Sequence, residues 1–309
     1  MYKLIDLKVG STCNNKCVHC CAANDVRDKN LSLKKIKNKL NEFINLYKTI
    51  DLTLTGGEIS MRRDFIEIMQ YIEFHKKLGN IREVHLQTNG RKLSDTNKLE
   101  STIGVVDYYL IALHGHNSDI HDKITGVQGS FDETVSTFKQ LVNRVNAAQI
   151  AVQTVINKLN YKYLVDTYKF AHEELGVTEF NLTFPHPMGD AFDKAITPTY
   201  TDVKPYINAA MYYFISKDIK PLPEALPLCV FDSEYRKYIS NINDTRFIGA
   251  VGYDQDGNLL DYLELSKEAH SKYEKCKSCL ANDKCEGIWN EYVELYPNEC
   301  SLPKPIVHG

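Results

Sequence analysis

Apolar positions in this chain alternate between two periods. Short runs rich in β-branched and aromatic residues read as strands at Leu4–Val9, Ile50–Leu54, Glu83–Gln87, Tyr108–Leu113, Ile150–Ile156 and Glu179–Thr183. Between them the spacing turns helical. Leu33, Ile36, Leu40, Phe43 and Ile44 fall on one stripe, which predicts a helix over Leu33–Leu46. Further helices are predicted over Phe65–Phe74 and Tyr163–Leu175, and from the capping-box pattern Ser130–Glu133 to about Val145. Strand–helix repetition of this kind implies a parallel sheet with right-handed crossovers. Six such units lie within residues 1–185, short of the eight of a closed barrel, so the expected fold is α/β, a partial (β/α)6 barrel.

The pattern then changes. Seven prolines, Pro185, Pro187, Pro198, Pro205, Pro221, Pro223 and Pro227, fall within residues 185–227, so the connecting region 186–248 reads as loops around one predicted helix, Val203–Ser216, with Pro205 in its first turn. Beyond it, Gly249–Tyr253 and Asn258–Tyr262 flank Asp256-Gly257 and predict a hairpin, followed by a helix at Ile288–Tyr296. Residues 249–309 are therefore expected to form a small α+β C-terminal domain.

Composition narrows the function. With 309 residues, 43% of them hydrophobic, the chain can fold around its core without covalent staples. Its 37 basic and 40 acidic residues leave a net charge of −3, which gives no broad attraction for nucleic acid or an anionic membrane. The N-terminus has no signal-peptide core, and the longest apolar run, Val105–Leu113, is about half a membrane span and contains Asp107. A cytoplasmic location, with reduced thiols, is expected. Nine cysteines then need a reason. Four lie in Cys13–Cys21, four in Cys276–Cys300, and Cys229 stands between. Clustered thiols in a chain that needs no disulfides point to metal ligation or catalysis.

Cys13, Cys17 and Cys20 have the spacing C-x3-C-x2-C on the loop after the first strand, at the carboxyl edge where parallel sheets build their sites. Structural zinc and ferredoxin-type clusters each take four protein ligands, so three thiolates on a four-iron cluster would leave one iron open. This motif resembles that of the radical S-adenosylmethionine (radical SAM) superfamily. One mild departure is His19, where the family usually has Tyr or Phe. The resemblance implies a 4Fe-4S cluster on Cys13, Cys17 and Cys20 whose open iron binds SAM. Gly56-Gly57-Glu58, ending the second strand, resembles the family's GGE motif and would meet the methionine ammonium of SAM. Gln87-Thr88-Asn89-Gly90 looks like its TNG stretch, with Asn89 a SAM contact. His114 lies where a ribose- or substrate-facing group would sit, Gln153 faces either SAM or the core, and His121 and Asp122 read as loop or cap residues. His186 and Met188, at the end of the sixth strand, read as lining the site or as loop.

The C-terminal cysteines Cys276, Cys279 and Cys285 have the spacing C-x2-C-x5-C, which by itself suits zinc as well as iron. Beside the N-terminal motif they resemble the SPASM/twitch extension, which carries auxiliary 4Fe-4S clusters. The full pattern has another cysteine where this chain has Trp289, and a Pro-Cys where it has Asp261-Tyr262. The resemblance thus implies one auxiliary 4Fe-4S cluster, on Cys276, Cys279 and Cys285. Its fourth ligand is Cys300 by the SPASM pattern or Cys229 by the twitch pattern, or one iron stays open. Cys229 is also a candidate catalytic hydrogen-atom donor, or simply a small buried hydrophobe, and Cys21 is read as the latter.

The resemblance implies reductive cleavage of SAM to a 5′-deoxyadenosyl radical that abstracts a hydrogen from a peptide or protein side chain. The first strand starts within ten residues of Met1, leaving no N-terminal room for the peptide-recognition domain many such maturases carry. A small-molecule substrate in cofactor or natural-product synthesis is the alternative, and a zinc-binding structural protein the alternative from another class. Expected partners are the substrate and an electron donor such as flavodoxin or ferredoxin, with no nucleic acid and no membrane.

Overall fold

The computed structural model describes residues 3–21, 29–238, 251–253, 259–283, 285, 287–299 and 305–306. Asp256, Gly257 and Cys300 lie outside them.

All six expected parallel strands form: β1 (Lys3–Lys8), β2 (Ile50–Thr55), β3 (Ile81–Thr88), β4 (Tyr108–Ala112), β5 (Ile150–Val155) and β6 (Glu179–Thr183). They pair in chain order. The sheet is wider than six strands, however. β7 (Leu222–Glu224), from the proline-rich stretch, pairs in parallel with β6. β8 (Val251–Tyr253) pairs in parallel with β1, and β9 (Leu259–Asp261) lies antiparallel to β8. The order is β7-β6-β5-β4-β3-β2-β1-β8-β9, an open α/β sheet. The expected hairpin thus extends the core sheet, because the first strand of an open barrel leaves one edge of hydrogen-bonding groups to cover.

Register sorts the two faces. Asp6 lies beside Thr53, Thr53 beside His85, Ala112 beside Gln153, Gln153 beside Asn181, and Val155 beside Thr183. Since side chains alternate along a strand, these share one largely polar face. The other face carries Ile5, Leu7, Leu52, Leu54, Val84, Leu86, Val152 and Leu182, each fully buried. Helices α1 (Leu33–Tyr47), α2 (Phe65–Lys77), α3 (Thr96–Glu100), α5 (Ser130–Leu141), α6 (Leu164–Lys169) and α7 (Tyr200–Ser216) pack there, while α4 (Ser118–Thr125) meets the cysteine loop. Ser32 caps α1 by accepting from Lys35 N, and the buried stripe is the predicted one, Ile36, Leu40, Phe43 and Ile44.

Several elements differ from expectation. α5 ends at Leu141, and its cap is not its own Ser130. Asp122, on α4, accepts hydrogen bonds from Gly129 N (2.6 Å), Phe131 N (2.7 Å) and Ser130 Oγ (2.8 Å). The helix after β5 is α6 continued as a wider π turn, Phe170–Glu174. α7 begins three residues early, at Tyr200, because Thr199 and Asp202 form a capping box, which puts Pro205 in its second turn. After α8 (Ser233–Arg236) and α9 (Tyr262–Ala269), β10 (His270–Ser271) pairs antiparallel with β11 (Ile288–Trp289). The expected terminal helix is therefore shortened to α10 (Asn290–Leu295).

Candidate cluster and cofactor site

The loop carrying Cys13, Cys17 and Cys20 leaves β1 and is tied down on three sides. Lys16 N and Val18 N donate to the carbonyls of Thr125 (2.7 Å) and Ile124 (2.9 Å) at the end of α4. Gly57 N and Glu58 N donate to Gly10 O and Thr12 O, each at 2.8 Å. Arg91 donates to Asn14 O (2.6 Å) and Asn15 Oδ1 (2.8 Å) and is itself paired with Glu133 at 2.5 Å. The approach of the GGE segment is close enough to demand glycine. A Cβ on Gly57 would stand 2.3 Å from Thr12 O, and one on Gly56, at φ +125°, 2.2 Å from Gly10 O.

Donors already face the sulfurs. Cys13 Sγ accepts from Asn15 N at 3.4 Å and from Asn89 Nδ2 at 3.8 Å. Asn89 also holds Asn14 Oδ1 at 2.8 Å, so it braces this loop. Glu58 is buried. Its Oε1 accepts from Ser60 N (3.0 Å), Ser60 Oγ (2.5 Å) and Thr88 Oγ1 (2.7 Å), and Oε2 from Asn89 N (2.6 Å). These bonds compensate a buried carboxylate and leave acceptor capacity on Oε2. Gln153 lies on the polar face, 3.4 Å from Thr183 Oγ1.

Three histidines fill the rim between β4 and the cysteine loop. His19 meets His114 edge-on with centroids 4.6 Å apart, and His114 stacks on His121 at 5.8 Å. Ring nitrogens of His19 and His114 and the sulfur of Cys17 lie within 4.8 Å of one another. Burial pushes His19 and His121 down to about 4 and His114 well below its ordinary value, disfavouring the charged form of each ring. Asn157 and Asn160, both fully buried, complete this corner, with Asn160 Nδ2 donating to His114 O at 3.1 Å. Arg91, Asn157 and Asn160 were not legible as site residues; no motif marks them, and their burial is created by tertiary packing.

The second thiol set also converges. Cys229, Cys276, Cys279 and Cys285 line one cavity with Ile288 and Ile306. Ile306 N donates to Cys279 Sγ at 3.2 Å, and burial pushes the Cys285 thiol up. Asn208 fixes the turn carrying Cys229: its Nδ2 donates to Val230 O (3.2 Å) and its Oδ1 accepts from Asp232 N (2.8 Å). None of the described cysteines forms a disulfide. Trp289 is sandwiched between His186 (3.8 Å) and His270 (4.0 Å), and His186 Nε2 lies 3.0 Å from Glu291 Oε2. His186 therefore joins the end of β6 to the C-terminal region, while Met188 is exposed.

The Radical SAM superfamily profile matches residues 7–171, just over half of the chain. The chain belongs to this superfamily. A probable GTP 3′,8-cyclase of Saccharolobus solfataricus is 31% identical over 191 residues, covering 60% of this chain and 58% of the relative. An AdoMet-dependent heme synthase of Methanosarcina barkeri is 28% identical over 202 residues, covering 64% and 55%. The chain thus spans under two thirds of the length of these curated relatives. Among solved structures, Streptococcus suis SuiB bound to precursor peptide SuiA has a TM-score of 0.68 at 15% identity, covering 95% of this chain and 73% of SuiB. Native anSMEcpe with bound AdoMet has a TM-score of 0.62 at 14% identity, covering 96% and 95%. These likenesses bear out the fold. Among the described residues, no helix is long and apolar enough to cross a membrane.

Proposed function

We propose that Cys13, Cys17 and Cys20 hold the superfamily's 4Fe-4S cluster, and that the enzyme modifies a peptide or protein side chain. When bound on Cys13, Cys17 and Cys20, the cluster would supply the electron for reductive cleavage of SAM and so radical chemistry at a substrate C–H bond. The chain's residues bind and orient. The glycine cradle of Gly56 and Gly57, with the free capacity of Glu58 Oε2, suits the methionine ammonium. Asn89 braces the loop beside Cys13, and His114 and Gln153 line the rim. The N–H groups already on Cys13 suit a thiolate ligand, which fits this donor set to an iron–sulfur cluster.

Cys229, Cys276, Cys279 and Cys285 are proposed to hold one auxiliary 4Fe-4S cluster. The single observation that carries this is their convergence on one cavity, which supports Cys229 as a ligand of the set over a hydrogen-donor role. The peptide reading is supported by likeness over almost the whole chain to a protein captured with its precursor peptide. A small-molecule substrate is the second reading, favoured by the GTP cyclase and heme synthase relatives, which match only about 60% of the chain. Flavodoxin or ferredoxin is the proposed electron donor.

Anaerobically purified protein should contain iron and sulfide for two clusters and, with dithionite and SAM, release 5′-deoxyadenosine. C17A should abolish this release. C229A should lose about half the iron; an unchanged iron-to-protein ratio would remove Cys229 from the ligand set. Turnover with a short peptide encoded beside the gene, read as a mass change, separates the substrate readings.

A further inference from the structure

We infer that Lys98 is a positioning residue for recognition of the SAM amine: through Ser60 it holds the Glu58 carboxylate in place, a role that rests on the reading of Glu58 as the partner of that amine. No motif marks Lys98, and it lies far along the chain from the Gly-Gly-Glu segment that it touches.

The Glu58 carboxylate is anchored to its own turn. Ser60 N (3.0 Å) and Ser60 Oγ (2.5 Å) both donate to Oε1. Met61 N and Arg62 N close the turn on the carbonyls of Glu58 (3.2 Å) and Ile59 (3.0 Å). Ser60 is fully buried, so the place of this one residue sets the place of Oε1.

A second stretch of chain grips that turn at two points. At its start, Thr88 Oγ1 donates to Oε1 (2.7 Å) and Asn89 N to Oε2 (2.6 Å). The chain then passes through a tight helical turn, Arg91–Ser94, into α3, which Asp95 caps by accepting from Asn97 N (2.9 Å) and Lys98 N (3.2 Å). From α3 the half-buried Lys98 reaches back, and its Nζ donates to Ser60 O. Residues 88–98 thus close on residues 58–60 from both ends, on the carboxylate at one and on the Ser60 carbonyl at the other.

The choice of acceptor matters. A cation bonded directly to Glu58 would compete with a ligand's ammonium for the same oxygens and repel it at contact distance. Lys98 bonds the carbonyl instead, while its attraction to Glu58 offsets part of the cost of burying its own charge. Oε1 already accepts from three donors, and Oε2 keeps room for another. A carboxylate held this way is oriented before the amine arrives, which spares the ordering cost at binding.

The test is SAM binding by the reconstituted, anaerobic holoprotein. It is followed by titration calorimetry and by the change SAM makes in the electron paramagnetic resonance signal of the reduced cluster. K98M should bind SAM about tenfold weaker with iron content unchanged, and K98R, which keeps a charged donor, should stay within about threefold of wild type. Because Lys98 acts through Glu58, adding K98M to E58Q should weaken binding by no more than about twofold beyond E58Q alone. Losses that multiply in the double variant would overturn the positioning role. Equal weakening in K76M would do the same, since that change removes a lysine bonded to Val105 O (2.9 Å) and Asp107 (2.6 Å) instead. K98M with wild-type affinity beside a weakened E58Q would overturn the role and leave the Glu58 reading standing. E58Q with wild-type affinity would overturn both. Should K98M not fold, K98Q, uncharged and one atom shorter, takes its place in the same cycle.

Discussion

Gly57 shows how little freedom single positions have here. The atoms that a Cβ would strike are backbone oxygens, Thr12 at 2.3 Å and Ser11 at 2.5 Å, and they belong to the loop that leads into Cys13. A side-chain neighbour could rotate away; a backbone carbonyl moves only with its loop. G57A is therefore expected to displace the cysteine loop while leaving the helix-covered core intact, at a cost of about 1–3 kcal/mol. Iron content should fall and SAM should bind at least about tenfold weaker, which corresponds to roughly 1.4 kcal/mol; titration calorimetry and iron analysis of the anaerobic protein check both. Full iron loading with unchanged SAM affinity would refute the steric account. Motif residues of this kind were legible because ligand spacing is written in sequence. Arg91 was not, because nothing in a polar turn announces that its guanidinium will be buried against Asn14, Asn15 and Glu133.

At the scale of elements, α4 and α5 are coupled by one carboxylate. Asp122 belongs to α4 yet satisfies the first N–H groups of α5, and the last carbonyls of α4 hold Lys16 and Val18 of the cluster loop. The expected capping box at Ser130 missed this, because the local pattern and the long-range cap use the same residues, and the charged acceptor wins. Burial works against ionisation of Asp122, but its three hydrogen bonds outweigh it and hold the carboxyl below its ordinary 3.8. A group depressed in the folded state contributes stability above its unfolded pKa and loses it as pH falls through the folded value. D122A should therefore destabilise the enzyme by about 1–2 kcal/mol at neutral pH, and the gap to wild type should narrow below pH 4. Thermal denaturation under anaerobic conditions measures both; a gap that persists in acid would mean lost packing instead of a lost charge.

At the scale of the molecule, the six-strand barrel and the strands β8 and β9 of the later hairpin were readable from pattern, but β7 and the pairing of β8 with β1 were not. β7 is a three-residue strand without a pattern of its own, and the places of β7 and β8 come from the edges they cover. The C-terminal region is joined to the barrel by aromatic side chains. Tyr292, on α10, is buried and packs at 4.6 Å, with its ring tilted, against Tyr200, the first residue of α7. Its hydroxyl accepts from Tyr200 N at 3.0 Å and donates to Glu299. Further along α7, Asn208 holds the Cys229 turn, while α10 follows directly on β11 from the strand pair beside Cys285. One hydroxyl thus links the two chain segments that bring the proposed auxiliary thiols together. Y292F keeps the ring but leaves the buried Tyr200 N–H without its acceptor, which should cost about 1–3 kcal/mol. If this link sets the geometry of the thiol cavity, iron released by a mild chelator should leave the auxiliary site sooner in Y292F than in wild type. The SAM-responsive signal of the N-terminal cluster should persist at its wild-type rate. Equal acceleration at both sites would show that Tyr292 stabilises the fold as a whole and gives the auxiliary cavity no separate support.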